Sequence, residues 1–251
     1  MNIGIIGAGN MARALARGWN RPVLCADPVH ERALELAKLT GGQALEDNGQ
    51  VAQATDLVVL CHKPAGLSAV AKEVAPHAKA VASILAATPL AELKTAYPNR
   101  PVYRFLPSLP VEVRQGAVVQ AADAPQDATV DEEVAKLFAE LGILVEMEDR
   151  LVDVAMGLMS CAPAYVALVA EAQIDAGVRR GIPAGQAAEL VVQTLAGTAE
   201  LLRRRGFDTL AVRREVASPG GTTARGLEAL ERGGVRSAFS DALDAVLDEG
   251  R

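Results

Sequence analysis

The stretch Met1-Asn2-Ile3-Gly4-Ile5-Ile6-Gly7-Ala8-Gly9-Asn10-Met11-Ala12 opens the chain with an apolar run of strand length that breaks into small residues. A helix-compatible segment follows directly, so the predicted order is strand, tight turn, helix. The pattern G-x-G-x-x-A is typical of a dinucleotide-binding turn, because Gly7 permits the turn, Gly9 lets a pyrophosphate approach the backbone, and Ala12 allows close packing. Free N–H groups at the helix start would face the phosphates.

A second apolar run, residues 22–26, ends at Asp27, about twenty residues after the glycine turn, as in dinucleotide-binding units. An acidic residue at this place accepts hydrogen bonds from the adenosine ribose and repels a 2'-phosphate, which favours NADH. His30 and Arg32 lie nearby and would offset that repulsion if Asp27 pointed away. The predicted cofactor is therefore NADPH or NADH, with the residues favouring NADH.

Strand-like runs alternate with helical patterns as far as residue 147. The predicted strands cover residues 56–61, 80–85, 101–106, 117–121 and 143–147, and the predicted helices cover 31–39, 65–75 and 130–141. This alternation predicts an α/β fold, a Rossmann-type and mostly parallel sheet with helices on both faces. Because ligands bind outside the carboxyl ends of such strands, the turns at Gly7, His62, Ala86 and Pro107 should edge one crevice.

The sequence changes character near residue 149, after which strand-like runs give way to Ala- and Leu-rich helical patterns. These patterns cover residues 163–180, 184–205, 222–231 and 235–247. We predict a dinucleotide-binding Rossmann domain at residues 1–149 and an all-helical domain at residues 150–251. The helices carry more apolar surface than one small bundle buries, which predicts a homo-oligomer.

Composition narrows the possible partners. Asp and Glu number 31 against 25 Lys and Arg, a net charge of -6, which argues against nucleic acid or an anionic membrane as partner. Cys25, Cys61 and Cys161 lack metal-ligand spacing, so no metal is expected and a reducing compartment fits. No run of about eighteen uninterrupted apolar residues occurs, and the first strand leaves no room for a signal peptide. We expect a cytoplasmic protein.

A second motif, Ser218-Pro219-Gly220-Gly221-Thr222-Thr223, joins two helical patterns. A turn of this kind running into a helix leaves backbone N–H groups beside two hydroxyls, which would hold a carboxylate. The alternative is a simple helix-to-helix turn with Thr222 as N-cap. The residues alone leave both interpretations open.

Together these motifs resemble the pyrroline-5-carboxylate reductase family, which catalyses the last step of proline biosynthesis. The resemblance spans nearly the whole chain. It rests on residues 7–11, Lys63-Pro64, Pro163-Ala164-Tyr165, residues 218–223 and residues 230–238. It implies a Rossmann domain with a helical dimerisation and substrate-binding domain, a homodimer or higher oligomer, and reduction of the cyclic imine 1-pyrroline-5-carboxylate to L-proline by NAD(P)H.

The resemblance also implies roles for individual residues. The implied substrate-binding residues are Ser218, Gly220, Gly221, Thr222 and Thr223, with Ser218 and Thr223 as catalytic candidates. From the glycine turn, the spacing and the resemblance together, the predicted cofactor-binding residues are Gly7, Ala8, Gly9, Asn10, Met11, Asp27, His62, Lys63, Pro64 and Ser108. In the family the loop holds the substrate carboxylate, and a Thr hydroxyl meets the ring nitrogen. Since the imine can take its proton from water, the enzyme chiefly aligns the reactants.

The chain departs from the family pattern at three places. Ser108 stands where the family has Asn, His62 replaces a small apolar residue, and Met159-Ser160-Cys161-Ala162 replaces a Ser-Gly-Ser segment. These departures leave open a reductase of another cyclic imine carboxylate, or a non-catalytic NAD(P)-binding regulatory paralogue. His62 either donates a proton to the product amine or only packs and binds ribose.

A β-hydroxyacid dehydrogenase shares this two-domain plan but needs a catalytic Lys on a helix. No Lys follows Lys136, which argues against that activity.

Overall fold

The computed structural model describes residues 1–248 and contains one eight-stranded sheet followed by helices. The strands are β1 (Ile3–Ile6), β2 (Leu24–Ala26), β3 (Gln43–Ala44), β4 (Leu57–Leu60), β5 (Val81–Ser83), β6 (Val102–Pro107), β7 (Gly116–Ala121) and β8 (Gly142–Met147). The helices associated with the sheet are α1 (Asn10–Trp19), α2 (His30–Thr40), α3 (Asn48–Ala54), α4 (Leu67–Val74), α5 (Leu90–Ala96), α6 (Ala128–Ala139) and α7 (Asp149–Ala155). The later helices are α8 (Ala162–Val178), α9 (Ala184–Arg204), α10 (Thr209–Val216), α11 (Thr222–Arg232) and α12 (Val235–Asp248).

The strands lie in the order β3-β2-β1-β4-β5-β6-β7-β8. All neighbouring pairs are parallel except β6 and β7, so β7 and β8 run opposite to the other six strands. The prediction of a mostly parallel Rossmann-type sheet is confirmed. The strand β3 and the short helices α3, α5, α7 and α10 were not predicted from the sequence.

Helices cover both faces of the sheet, as predicted. Ile5 and Val59 point to one face, where they pack in a core with buried residues of α1, α2 and α6. Ile6 and Leu60, the next residues along the same strands, pack in a second core with α3, α4 and α5. Successive side chains of a strand point to opposite faces, so a strand buried on both sides must be apolar throughout.

An aromatic stack fixes α1 and α6 on the first face. Phe105 of β6 stacks on Phe138 with ring centroids 3.8 Å apart, and Trp19 meets Phe138 edge-on at 5.6 Å. The Trp19 indole N–H donates to the carbonyl of Leu137 at 2.9 Å. Because Trp19 is the single tryptophan of the chain and is 1% exposed, its fluorescence reports on this part of the fold.

A buried arginine fixes α7 to the sheet. Arg104 of β6 is 1% exposed, and its two terminal nitrogens donate to Asp149 at 2.7 Å and to Asp153 at 2.6 Å. The other carboxylate oxygen of Asp149 accepts the Leu90 N–H at 2.9 Å, at the start of α5. A buried guanidinium loses its hydration on folding, so these two carboxylates are required to keep it in place.

The described residues divide into two compact units, Met1–Pro163 and residues 164–248. The first unit contains the whole sheet, α7 and a π-helical turn at Met156–Ser160. The domain boundary predicted at residue 149 marks the end of the strand-like sequence, whereas the contacts place α7 with the sheet. The last three residues of the predicted second domain lie outside the described range.

The second unit buries few of its side chains. In α8, α11 and α12 no residue is buried, and α9 and α10 bury only Ala187 and Val212. Large apolar side chains are exposed instead, among them Val166, Leu168, Leu190 and Val192 at 50–64%. One helical stretch, Asp149–Val178, meets the length and composition of a membrane span, with mean hydropathy 1.7 and 17% of its most apolar window buried. Such a stretch was not predicted from the sequence.

Replacing Asp149 by Ala should lower the free energy of unfolding of the first unit by about 3 kcal/mol, because the buried Arg104 loses one of its two counter-charges. The measurement is urea unfolding followed by Trp19 fluorescence. Glu112→Ala is the control, since it breaks an exposed ion pair with Arg17 and should cost less than about 1 kcal/mol. Equal small losses in both variants would contradict a structural role for the buried cluster.

Candidate dinucleotide and substrate sites

A cleft of about 530 Å³ lies at the carboxyl ends of β1, β2 and β4. Its lining consists of Gly7, Gly9, Asp27, Pro28, Val29, Arg32, Asn48, Cys61, His62, Lys63, Gly66, Ala69, Val70 and Glu73. Five predicted cofactor residues, Gly7, Gly9, Asp27, His62 and Lys63, are therefore brought together here. The crevice expected from the strand ends is present at β1 and β4, whereas Ala86 and Pro107 do not line it.

The glycine turn has the geometry that a pyrophosphate requires. Gly7 has φ +95°, and a Cβ there would lie 2.8 Å from the carbonyl carbon and oxygen of Cys61. A Cβ on Gly9 would meet nothing within 4 Å, so the backbone is bare on that side. Gly9 is the N-cap of α1, and no side chain caps that helix. The open N–H groups and the bare glycine fit a phosphate group.

Asp27 is held in the cleft by two backbone N–H groups. One of its carboxylate oxygens accepts from Ala8 at 2.7 Å, and the other accepts from Val29 at 2.8 Å. Asp27 therefore does not point away from the glycine turn. Arg32 lines the same cleft, is exposed, and has no ion pair within residues 1–248. His30 is exposed as well, but it does not line the cleft.

His62 forms part of the cleft wall at the end of β4. Its Nδ1 lies 2.8 Å from the carbonyl oxygen of Lys63, so Nδ1 carries the hydrogen and donates. Its Nε2 is buried and has no partner among the described residues. Burial lowers the pKa of His62, which keeps the ring neutral at pH 7. The ring then lacks a spare proton, which disfavours the alternative that it protonates the product amine.

The structure places four other predicted cofactor residues near the cleft but not in its lining. Ala8 is buried and donates its N–H to Asp27. Asn10 and Met11 are the first two residues of α1, and Pro64 begins a 3₁₀ turn after β4. Their contacts with a cofactor stay predictions.

Ser108 lies elsewhere. It is 3% exposed, its Oγ accepts the N–H of Ala117 at 2.9 Å, and its own N–H donates to the Ala117 carbonyl at 2.9 Å. The side chain thus joins the end of β6 to the start of β7. A contact between Ser108 and a cofactor stays a prediction, and this hydroxyl already has a structural partner.

Sequence reasoning missed Asn48 and Glu73, which line the cleft and are joined by a hydrogen bond of 2.8 Å. A signal was present in the sequence. Asp47 is the N-cap of α3, accepting the Gln50 N–H at 2.8 Å, and Asp followed by Gln three residues later is a capping pattern. That pattern predicts a helix start at Asn48.

The Ser218–Thr223 loop belongs to the second unit. The Gly221 N–H donates to the Ser218 carbonyl at 3.0 Å, and Gly220 adopts φ +69°, a conformation that favours glycine. A Cβ on Gly221 would lie 2.5 Å from Ser218 Oγ. Both glycines are therefore required by the turn itself.

The start of α11 has no side-chain cap. Gly221 is the N-cap and Thr222 is the first helical residue, so Thr222 is not the N-cap that the alternative interpretation required. The hydroxyls of Ser218, Thr222 and Thr223 make no hydrogen bond within residues 1–248. The loop thus presents uncapped N–H groups and three unpaired hydroxyls, which suit a carboxylate.

Two arginine contacts flank this loop. Glu215, near the end of α10, is bound by Arg205 through two bonds of 2.7 and 3.1 Å. Arg225 of α11 donates to the Gly220 carbonyl at 3.1 Å. The helix before the loop is therefore linked to Arg205, which follows α9, and the loop itself is linked to α11.

Gly9→Val should abolish dinucleotide binding with only a small fall in the melting temperature, because its side chain enters open space that the pyrophosphate needs and the change costs only the N-cap preference of α1. Gly7→Ala is the matched contrast, since its Cβ meets backbone at 2.8 Å and φ is +95°. That variant should lose both binding and stability. Calorimetric titration with NADH and NADPH, together with thermal melting, measures both. Unchanged affinity in Gly9→Val would show that the turn binds no dinucleotide.

Known protein families match both the part of the chain that contains the glycine turn and the part that contains the Ser218–Thr223 loop. Residues 149–251 match the family model "Pyrroline-5-carboxylate reductase dimerisation", and residues 2–87 match "NADP oxidoreductase coenzyme F420-dependent". The pyrroline-5-carboxylate reductase of Thermus thermophilus is 38% identical, over 100% of this chain and 97% of the relative. The enzyme of the same name from Synechocystis is 33% identical, over 98% and 96%.

Solved structures give the same result over the whole fold. The 1-pyrroline-5-carboxylate reductase of Streptococcus pyogenes aligns with a TM-score of 0.90 at 29% identity, over 100% of this chain and 98% of that one. The Plasmodium falciparum pyrroline carboxylate reductase, crystallised with NADP bound, aligns with a TM-score of 0.89 at 25% identity, over 100% and 97%. With full-length relatives above 30% identity, both units matched and both glycine motifs intact, the chain belongs to the pyrroline-5-carboxylate reductase family.

Proposed function

We propose that the chain reduces 1-pyrroline-5-carboxylate to L-proline with NADH or NADPH. The main support for this function is the Ser218–Thr223 loop. It leads into a helix with no side-chain cap, and its three hydroxyls are unpaired within the described residues. A protein that only senses a dinucleotide has no need for such a loop. The bare glycine turn in the first unit supports the cofactor part of the proposal.

The dinucleotide supplies the hydride for the imine carbon. The chain's own residues would hold it through the glycine turn, where Gly9 leaves the backbone open and the start of α1 favours the phosphate charge. Lys63 and Arg32 add positive charge to the cleft wall. His62, neutral and hydrogen-bonded to the Lys63 carbonyl, shapes the wall beside them.

The Ser218–Thr223 loop would hold the substrate. The backbone N–H groups of Gly220 and Thr222 suit the carboxylate, since the Gly221 N–H already donates to the Ser218 carbonyl, and the Thr223 hydroxyl suits the ring nitrogen. The imine nitrogen takes its proton from water, so the loop has to orient the ring rather than supply a strong acid. A neutral His62, which is not a strong acid, is consistent with this. We expect that no substitution of a single side chain abolishes the reaction.

We propose that the chain forms a homodimer, or an assembly of dimers, through its second unit. The support is the exposed apolar surface of α8 and α9, which one copy of the chain leaves uncovered. The same need for a partner surface accounts for the apolar stretch Asp149–Val178 without a membrane. We place the enzyme in the cytoplasm, with neither nucleic acid nor membrane as partner.

A reductase of a different cyclic imine carboxylate is the second candidate. It is favoured by Ser108, which stands where the family has Asn and whose hydroxyl is occupied by the Ala117 N–H. A regulatory paralogue that binds NAD(P) without turnover is the third candidate.

The deciding experiment measures NADH and NADPH oxidation with 1-pyrroline-5-carboxylate, 1-pyrroline-2-carboxylate and 1-piperideine-2-carboxylate, identifying each amino-acid product. We expect L-proline to form fastest from the first substrate. Faster turnover of another imine would establish the second candidate. Dinucleotide binding without turnover of any imine would establish the regulatory one.

Thr223→Ala should lower kcat/KM for the imine about tenfold, the worth of one neutral hydrogen bond, and leave dinucleotide affinity unchanged. Thr194→Ala is the control, because that hydroxyl bonds to the Leu190 carbonyl of its own helix. Steady-state kinetics and calorimetric titration separate the two effects. Equal loss of imine reduction and of dinucleotide affinity would place Thr223 outside the substrate site.

A further inference from the structure

The cleft contains one carboxylate and one unpaired guanidinium at the place where the adenosine ribose binds in Rossmann folds. Asp27 ends β2, and Arg32 follows within the first turn of α2. A carboxylate here accepts a ribose 2'-OH, whereas an arginine accommodates a 2'-phosphate. The sequence favoured NADH only if Asp27 faces the cleft, and the direction of that side chain could not be predicted from the sequence.

The hydrogen bonds of Asp27 decide that direction. Its two oxygens accept the N–H groups of Ala8 at 2.7 Å and Val29 at 2.8 Å, and these donors belong to two different segments. Turning the carboxylate away from the cleft would leave both N–H groups without this acceptor. One of them lies inside the glycine turn, so the same movement would loosen the phosphate-binding backbone.

We propose that Asp27 makes this enzyme prefer NADH, and that Arg32 is a latent 2'-phosphate ligand that acts only when the Asp27 charge is removed. This inference rests on the proposed use of NAD(P)H. Each oxygen of a carboxylate has a second lone pair, so the fixed Asp27 accepts a ribose hydroxyl while it keeps its backbone bonds. A 2'-phosphate at that place meets an anion that cannot withdraw.

Arg32 does not cancel this repulsion in the unmodified protein. Its guanidinium is exposed and makes no ion pair within the described residues, so it is not held near the ribose. An exposed, flexible cation contributes little against a fixed anion at short range. Once Asp27 is neutral, the same cation becomes the nearest charge for a 2'-phosphate.

The test is calorimetric titration with NADH and NADPH in the absence of any imine. The unmodified protein should bind NADH about tenfold or more tightly than NADPH, the worth of one charge-assisted hydrogen bond. Asp27→Ser should reverse the preference, and the double variant Asp27→Ser with Arg32→Gln should lose the gain in NADPH affinity. The fragments 5'-AMP and adenosine 2',5'-bisphosphate should show the same preferences as NADH and NADPH, respectively, in each of these proteins.

The ratio of the two affinities is the informative quantity. Loss of the Ala8 bond weakens pyrophosphate binding equally for both dinucleotides and cancels in the ratio, whereas loss of the ribose contact does not. Arg17→Gln is the control, because Arg17 pairs with Glu112 outside the cleft and should leave the ratio unchanged.

Tighter binding of NADPH by the unmodified protein would overturn the proposal, as would an equal fall in both affinities in Asp27→Ser. A protein that follows the expected ratios yet reduces no imine would refute the proposed reaction and leave the assignment of Asp27 and Arg32 standing. The two proposals therefore fail separately.

Discussion

The close approach of the Gly7 backbone to the Cys61–His62 peptide is the constraint on which the cleft depends. A Cβ at Gly7 would lie 2.8 Å from atoms of that peptide, so no other residue allows β1 and β4 to end side by side in this way. The Cys61 N–H donates to the Ile6 carbonyl at 2.8 Å, and the Gly7 N–H donates to the Ala26 carbonyl at 2.8 Å. The turn is thus fixed by both neighbouring strands before any ligand arrives, which lowers the cost of binding.

Strands that are buried on both faces can be predicted from a sequence, because both sets of alternating side chains must be apolar. This is why β1, β4 and β5 were predictable. The strand β3 has two residues, Gln43 and Ala44, neither of them buried, and it carries no such signal. The helices α3 and α5 have seven residues each, too few for a helical period to emerge. The opposite direction of β7 was in principle foreseeable, since residues 108–115 are too few for a parallel crossover.

The candidate site was predictable in residue type and position along the chain, but not in side-chain direction. The spacing placed Asp27 after β2, yet its orientation depends on an N–H of Ala8, which comes from another element. His62 was predicted at the end of β4, and its tautomer depends on the adjacent Lys63 carbonyl. For Ser108 the missing information was the pairing of β6 with β7, which puts the Ala117 N–H opposite its hydroxyl. Each of these properties depends on a contact within the folded chain, and such contacts cannot be read from a single sequence.

Arg104 explains why a boundary drawn from composition differs from one drawn from contacts. Strand-like sequence ends near residue 149, but a guanidinium buried in β6 needs Asp149 and Asp153, which lie one helical turn apart on the same face of α7. The helix is therefore part of the sheet's own unit, and so is the turn Met156–Ser160 that follows it. Ser160 Oγ donates to the Pro107 carbonyl at 3.4 Å, next to Ser108. Two of the three departures from the family pattern, at Ser108 and at residues 159–162, thus adjoin the same end of β6, so a change at one must be accommodated by the other.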